Sequence, residues 1–218
     1  MNRKLREAVF AGTRVYPVIT PEFCGGRDPL WIVSELVGAG ATVLQLRVKS
    51  GPDRALLGLA RECRKLTAQT GCLLILDDRV DVALAVGADG VHVGQDDLPV
   101  EVVRKLGPEL LIGWSTHNRE EVLASRELDV SCINIGPVFP TGTKVNPMSP
   151  LGLDTLRELL PLAHVPFSVM GGIKEAHLPG LRAIGVCTVA MVTQLTQAPD
   201  PAAVFTRMNE LMGVFAGA

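Results

Sequence analysis

The sequence predicts an α/β fold, a single (β/α)8 TIM barrel, and three observations support this prediction. Eight short apolar runs are spaced along the 218 residues, each is followed by a segment with helical patterning, and most runs are nearly continuous in Val, Ile and Leu. Continuous apolar runs are typical of parallel strands whose outer face is covered by helices. Eight such units in a chain of this length fit a compact barrel better than a doubly wound sheet.

The strands are predicted from aliphatic and β-branched runs, and the helices from the segments between them. In chain order the predicted strands are Val15–Ile19, Thr42–Leu46, Cys72–Leu76, Gly90–Val93, Leu110–Trp114, Cys132–Ile135, Phe167–Met170 and Thr188–Val192. The predicted helices are Leu30–Val37, Asp53–Thr70, Asp81–Val86, Pro99–Leu106, Arg119–Arg126, Leu153–Leu160, Glu175–Ile184 and Pro201–Met212. No linker or low-complexity tract divides the chain, so we expect one domain over residues 1–218, with residues 1–14 as an N-terminal extension.

Charge and cysteine usage exclude several classes of protein. Lys and Arg total 21 and Asp and Glu total 23, a net charge of −2 that argues against a general binder of nucleic acid or of anionic membranes. The five cysteines contain no C-x-x-C pair, so neither a disulfide framework nor a zinc knuckle is predicted. The first residues lack an apolar run of signal length, and we expect a cytoplasmic protein. The oligomeric state is left open, and a homo-oligomer is compatible with the sequence.

Polar residues alternate with apolar ones where the second predicted strand ends. Side chains two apart share one face of a strand, so Gln45, Arg47 and Lys49 should project together. One reading is a solvated edge strand, and the other is a ladder of donors that rises to an anionic ligand. The eight-strand pattern favours the ladder, because a closed barrel has no edge.

Carboxylates follow the third and fourth predicted strands. Asp77 and Asp78 come directly after a buried strand, and Asp96 and Asp97 follow the next one. Each pair is explained either by capping of the next helix or by ligation of a hard metal ion, and both explanations can hold, one for each residue. Next to the cationic ladder, the carboxylates indicate a site for magnesium and a diphosphate.

The remaining strand ends carry hydroxyl groups, glycines and histidines. Ser115 and His117 follow the fifth strand, and His117 is either a general base or a hydrogen-bonded surface residue. His92 lies inside an apolar strand and is interpreted as structural. Gly171 and Gly172 follow the seventh strand, where they form either a simple turn or a second phosphate site with the loop after the eighth strand. The loop Pro137–Pro150 contains four prolines and follows the sixth strand, on the face where barrels build active sites.

Ordered motifs along the chain carry a family resemblance: Gln45-Leu46-Arg47-Val48-Lys49, Asp78-Arg79-Val80-Asp81-Val82-Ala83, Gly87 to Pro99, Ser115-Thr116-His117, Gly136 to Lys144, and Gly171-Gly172-Ile173. With them the sequence resembles the thiamine phosphate synthase (thiamine-phosphate pyrophosphorylase) family, which is related to thiazole tautomerases. The resemblance implies a transferase that joins hydroxymethylpyrimidine diphosphate to thiazole phosphate with Mg²⁺, giving thiamine phosphate and diphosphate.

The resemblance also implies roles for particular residues. Asp78 and Asp97 would hold magnesium, and Arg47, Lys49, Lys144 and Ser115 would act in catalysis. The pyrimidine diphosphate would contact the segment Gln45-Leu46-Arg47-Val48-Lys49 together with Asp77, Ser115 and Lys144. The thiazole phosphate would contact Thr141, Gly142, Thr143, Gly172, Val192 and Thr193. Both small-molecule substrates would therefore meet at one barrel mouth.

This chain departs from the family at Asp77, where Asn is usual, and at Val48, where an acid is usual. A carboxylate at position 77 would repel a diphosphate unless Arg79, a proton or a metal neutralises it. Val48 falls on the opposite face of the strand and should matter less.

Two alternatives to the transferase remain at the level of sequence. One is a thiazole tautomerase of the same fold, since His117 stands where the tautomerases carry a histidine acid/base. The retained diphosphate residues weigh against it. The other is a non-catalytic thiamine-phosphate binding protein, which Asp77 motivates.

Overall fold

Eight parallel strands close into a barrel in sequence order, with the last strand paired to the first, in a computed structural model that describes residues 1–143 and 148–213. The predicted fold class is confirmed. The strands are β1 Val15–Ile19, β2 Val43–Leu46, β3 Leu73–Asp77, β4 Gly90–Val93, β5 Leu111–Thr116, β6 Cys132–Ile135, β7 Phe167–Val169 and β8 Val189–Met191. Every predicted strand is present, with ends that differ by at most two residues.

One helix precedes β1, and the others follow the strands and cover the outside of the barrel. They are α1 Arg3–Gly12, α2 Pro29–Gly38, α3 Asp53–Thr70, α4 Val80–Val86, α5 Val100–Leu106, α6 Arg119–Ala124, α7 Gly152–Leu159, α8 Leu178–Ala183, α9 Thr193–Thr196 and α10 Pro201–Gly213. All eight predicted helices are found, although the segment before α8 is a separate 3-10 turn over Glu175–His177. The short helix α9 is not among the sequence predictions.

Side chains of the strands divide between two apolar clusters. Alternate residues such as Leu44 and Leu46 pack outward in the large cluster shared with the helices. Val43, Leu73 and Ile75 belong to a smaller, separate cluster that fills the lower part of the barrel interior. This division follows from the two-residue period of a strand, and it leaves the upper interior to polar side chains.

The helix α1 closes the N-terminal end of the barrel, where the sequence predicts only an extension. Asn2 caps it by accepting a hydrogen bond from the Leu5 N–H at 3.0 Å. Phe10 enters the inner cluster and meets the Tyr16 ring edge to face, with centroids 5.6 Å apart. Asn2 at the N-cap position, accepting from the Leu5 N–H, is the local signal that identifies such a helix.

The cysteine side chains are packed into the fold as free thiols. All five cysteines are free, and four of them are buried. Burial raises the pKa of the Cys63 and Cys72 thiols to about 12, so these groups stay protonated and act as packing residues. Within residues 1–143 and 148–213, none of the helices combines the length and apolarity that crossing a bilayer requires.

Phe10→Ala is expected to lower the free energy of unfolding by about 3–5 kcal/mol, because it removes a buried aromatic ring and leaves a cavity under the barrel. Leu5→Ala on the same helix is the matched control: its side chain is 52% exposed, and we expect a change below about 0.5 kcal/mol. Denaturant unfolding of both variants measures the difference. Equal effects would contradict the placement of Phe10 inside the barrel.

Candidate active site

The polar ladder of β2 faces a cavity at the C-terminal mouth of the barrel. Gln45, Arg47 and Lys49 all line this first cavity. Gln45 is buried, and its Nε2 donates to the Tyr16 hydroxyl at 3.1 Å. The Arg47 N–H continues the sheet by donating to the Ile19 carbonyl at 2.8 Å. The strand therefore presents three donors at increasing height along one face.

Two residues between those donors do not reach the cavity. Leu46 is fully buried in the outer cluster, and Val48 packs against that cluster from a partly buried position. Their side chains point toward the helices, because successive residues of a strand face opposite sides. Leu46 and Val48, assigned to the substrate with the rest of their segment, could therefore contact it only through their backbone.

Three carboxylates meet the ladder from neighbouring strand ends. Asp77 ends β3 and Asp78 follows it, Asp97 comes from the loop after β4, and all three line the first cavity. Asp77 Oδ2 lies 2.9 Å from Lys49 Nζ and 3.4 Å from Arg47 Nε. Lys49 also pairs with Asp78. Cations and carboxylates are thus in direct contact at the mouth.

Backbone conformation sets the direction of the β3 carboxylates. Asp78 has φ +60°, which makes it the one non-glycine residue with a positive φ in the described part of the chain. Its N–H donates to the His92 carbonyl at 2.7 Å, which ties the turn to β4. Non-glycine residues in this region are uncommon and concentrate at functional sites.

Arg79 is not the residue that neutralises Asp77. Its guanidinium binds Asp53 at 2.6 Å and Asp81 at 2.7 Å, on the side of α3 and α4. The turn at Asp78 interrupts the strand alternation, so positions 77 and 79 do not share a face. Arg47 and Lys49 neutralise Asp77 instead.

Electrostatics at the mouth follow from these contacts. Burial raises the pKa of Asp78 to about 6, and the carboxylates of Asp77 and Asp97 add to the rise, while Lys49 opposes it. For Lys49, burial lowers the pKa, but Asp77 and Asp78 outweigh it and the net shift is upward. The carboxylates thus converge where more positive charge is favourable, which fits a hard cation.

Asp78 and Asp97 are the carboxylates at the mouth that could hold a magnesium ion. Asp97 Oδ2 accepts the Gly94 N–H at 2.7 Å, which orients its carboxylate on the β4 loop. Among residues 1–143 and 148–213, no three His, Cys, Asp or Glu side chains lie close enough together to hold a metal ion by themselves. Magnesium is commonly held by one or two carboxylates together with substrate phosphates, and Asp78 and Asp97 provide that number.

His92 and Ser115 form a polar pair on the inner wall. His92 Nε2 lies 2.9 Å from Ser115 Oγ, and both residues line the first cavity. Gly113, opposite His92 in the sheet, leaves space for the ring, since a Cβ there would lie 2.4 Å from His92 Nδ1. The contact positions Ser115 at the cavity. It agrees with the interpretation of His92 as a hydrogen-bonded structural residue.

His117 lies at the cavity as well, at the start of α6. Glu121 Oε2 accepts from the His117 N–H at 2.8 Å and lies 2.8 Å from its ring Nδ1. Asn118 caps the helix by accepting the Glu121 N–H at 2.9 Å. A carboxylate on Nδ1 favours the tautomer with an unprotonated Nε2, so His117 is held in an orientation suited to proton transfer.

A second cavity adjoins the first and is built from the loops after β6, β7 and β8. Gly171 and Gly172 have φ +105° and +62°, and a Cβ at Gly172 would lie 2.3 Å from the Pro140 carbonyl oxygen. Glycine is therefore required for the β7 loop to approach the β6 loop. The predicted residues that line this cavity are Thr141, Gly142, Thr143, Gly172, Val192 and Thr193. Lys144 lies outside the described residues.

The structure adds residues that the sequence patterns do not single out. Lys174 lines the second cavity, with Nζ 3.4 Å from Thr193 Oγ1. Tyr16 and Asn134 line the first cavity from β1 and β6. An exposed lysine in a loop has no periodic signal, although its place just after Gly171-Gly172-Ile173 marks it as part of the strand end.

Comparisons with known proteins agree with this geometry. The profile of the thiamine monophosphate synthase family matches residues 15–195. A thiamine-phosphate synthase from Laribacter hongkongensis is 44% identical over 201 residues, covering 91% of this chain and 95% of that protein. One from Shouchella clausii is 39% identical over 188 residues, covering 86% of this chain and 90% of its own.

A solved structure shares the fold at this level of similarity. The thiamine phosphate pyrophosphorylase from Pyrococcus furiosus superposes with a TM-score of 0.85 at 30% identity, covering 96% of this chain and 100% of its own. The matched segment of the family profile includes every residue that lines the first cavity. The chain therefore belongs to the thiamine monophosphate synthase family.

Proposed function

We propose that this chain is a transferase of thiamine biosynthesis that joins hydroxymethylpyrimidine diphosphate to thiazole phosphate, forming thiamine phosphate and releasing diphosphate. The observation that carries the proposal is the adjacency of two cavities suited to anions at one barrel mouth. The residues common to both walls are Thr141, Thr143, Met170, Gly171 and Val192. A diphosphate in one and a phosphate in the other would bring the two rings together between them.

The first cavity is assigned to the pyrimidine diphosphate. Arg47 and Lys49 would contact the diphosphate, and Lys144 is assigned the same role from the family resemblance. Gln45 and Ser115 lie deeper in the barrel, with Gln45 only 2% exposed, and would bind the pyrimidine ring. Buried amide and hydroxyl groups that already have partners give such a ring a fixed orientation.

The second cavity is assigned to the thiazole phosphate. Thr141 and Thr143 place their hydroxyl groups 3.1 Å apart, and Gly142 lies between them. Gly172, Val192 and Thr193 would add backbone and hydroxyl donors from the opposite side. Backbone N–H groups and hydroxyls of this kind are common ligands of phosphate in barrels.

Charge stabilisation is the main catalytic contribution expected of these residues. As the bond between the pyrimidine methylene and the diphosphate oxygen breaks, both bonding electrons leave with the diphosphate. Arg47, Lys49 and Lys144 would stabilise that growing charge. The aminopyrimidine ring supports the methylene cation, and the thiazole nitrogen then captures it, so no covalent intermediate with the protein forms.

Asp78 and Asp97 are assigned to a magnesium ion. When bound there with the diphosphate oxygens, the ion supplies positive charge to the leaving group. The left-handed turn at Asp78 and the hydrogen bond from Gly94 to Asp97 hold the two carboxylates in place. We also propose a cytoplasmic location, which the free, buried thiols support.

The proposed reaction is tested by mixing the purified protein with both phosphorylated substrates and Mg²⁺. We expect stoichiometric release of diphosphate and formation of thiamine phosphate. Chromatography of the product and a coupled diphosphate assay measure the two. No release at saturating substrate would overturn the transferase, and tight binding of thiamine phosphate without turnover would instead indicate a non-catalytic binding protein.

Asp97→Asn is expected to lower kcat/KM by about 10²–10³-fold and to raise the Mg²⁺ concentration needed for half-maximal rate, because the variant loses an anionic ligand. Asp96→Asn is the matched control, since Asp96 is exposed and does not line the cavity. Titration of Mg²⁺ into the EDTA-treated proteins measures the shift. An identical Mg²⁺ dependence of Asp97→Asn and the unaltered protein would contradict the assignment.

A second candidate activity is proton transfer on the thiazole phosphate, as in the tautomerases. The contact between Glu121 and His117 Nδ1 favours it, because it leaves the other ring nitrogen unprotonated on a residue that lines the first cavity. The transfer of the pyrimidine methylene to the thiazole nitrogen requires no proton removal by His117. The cationic ladder retained in the first cavity favours the transferase as the main activity.

His117→Ala separates the two activities. We expect diphosphate release to fall by less than about tenfold, since charge stabilisation does not depend on the imidazole, whereas any isomerase activity should fall by about 10²-fold or more. Glu121→Gln, compared with exposed Glu120→Gln, tests the orienting contact. Proton NMR of the thiazole phosphate follows isomerisation. Full isomerisation by His117→Ala would exclude His117 as its base.

A further inference from the structure

Asp77 is distinguished by the contacts that its carboxylate makes. Its side chain is only 8% exposed, and Oδ2 lies 2.9 Å from Lys49 Nζ and 3.4 Å from Arg47 Nε. Within the described residues, this same oxygen accepts no hydrogen bond of good geometry. The carboxylate is therefore held at the mouth by charge, and by the two side chains that are assigned to the diphosphate.

Asp77 also shifts the charge balance of the first cavity. Among the described residues that line it, carboxylates outnumber Arg and Lys side chains by one: Asp77, Asp78 and Asp97 face Arg47 and Lys49. A neutral side chain of the same shape at position 77 would leave the two signs equal. The carboxylate thus competes directly with any anion that approaches the ladder.

We propose that Asp77 is an internal counter-ion, which occupies Arg47 and Lys49 in the free protein, yields them to the diphosphate group of the substrate, and takes them back as the diphosphate leaves. The inference rests on the proposed function. It assigns Asp77 a positioning role that lowers the affinity for free diphosphate and so favours release of this product. Binding that weakens after the chemical step raises turnover, because tightly held product would block the site.

The geometry agrees with displacement. Lys49 is partly exposed, with 43% of its side chain open to solvent, and it bridges Asp77 and Asp78. A flexible lysine at the rim can turn from one anion to another at little cost. Arg47 is more enclosed at 15% and keeps the Nε contact with Asp77 at the longer distance of 3.4 Å. A phosphate oxygen between the two side chains would meet donors that are already oriented.

The test is calorimetric titration of inorganic diphosphate, with Mg²⁺, into the full chain and its variants. Asp77→Asn keeps the shape and removes the charge, and we expect it to bind diphosphate roughly 10-fold to 100-fold more tightly. Asp77→Glu keeps the charge and should stay within about threefold of the unaltered protein. Asp81→Asn removes an exposed carboxylate that pairs with Arg79, and it should have no effect.

Unchanged or weaker diphosphate binding by Asp77→Asn would overturn the proposal, as would equal tightening by Asp77→Asn and Asp77→Glu. Denaturant unfolding checks that each variant folds, and Asp77→Ser replaces Asp77→Asn in the comparison if the latter does not. Diphosphate binding requires no turnover. Tighter binding by Asp77→Asn without transferase activity in the unaltered protein would refute the proposed function alone, while turnover with unchanged binding would refute the counter-ion alone.

Discussion

Side chains alternate between the inside and the outside along each strand of the closed barrel, and this alternation positions both the apolar core and the polar residues at the mouth. Every second side chain of a strand faces the interior, because the barrel is closed and has no edge strand at which that side chain could face solvent instead. On β2, Val43 enters the apolar floor, Gln45 the polar middle layer, and Arg47 the mouth. The inward-facing residues of β2 and of the segment after it therefore run from the apolar interior to the first cavity.

The N-terminal end of the barrel interior is filled partly by α1, a helix that precedes the eight strand–helix units. Phe10 of α1 fills the N-terminal end and packs on Tyr16, whose hydroxyl accepts a hydrogen bond from Gln45. Burial raises the pKa of Tyr16 well above its ordinary value, so the phenol remains neutral. Tyr16 therefore contacts both Phe10 at the N-terminal end of the barrel and Gln45 at the cavity. These two contacts connect the packing of α1 to the shape of the first cavity.

Two buried carboxylates show how structural and functional charge differ in this protein. Asp89 forms ion pairs with Arg64 at 2.7 Å and Arg6 at 3.3 Å, and it accepts a hydrogen bond from the Leu74 N–H at 3.1 Å. Its negative charge is therefore paired and its carboxylate is hydrogen-bonded. Asp77 is equally enclosed, but its Oδ2 is held by ion pairs alone. Asp89 is thus held by both kinds of contact, whereas the ion pairs of Asp77 with Lys49 and Arg47 are the contacts that the proposed counter-ion role uses.

The barrel, the order of its strands and the residue types at their ends follow from the amino-acid sequence, because hydrophobic period and turn chemistry are local properties. The sequence also placed Gln45, Arg47 and Lys49 on one face. It missed the helix before β1, the place of Lys174 and the true partners of Asp77. These features depend on contacts between distant parts of the chain, since ion pairing follows the direction of each side chain after its strand ends, and the left-handed turn at Asp78 directs Arg79 away from the mouth.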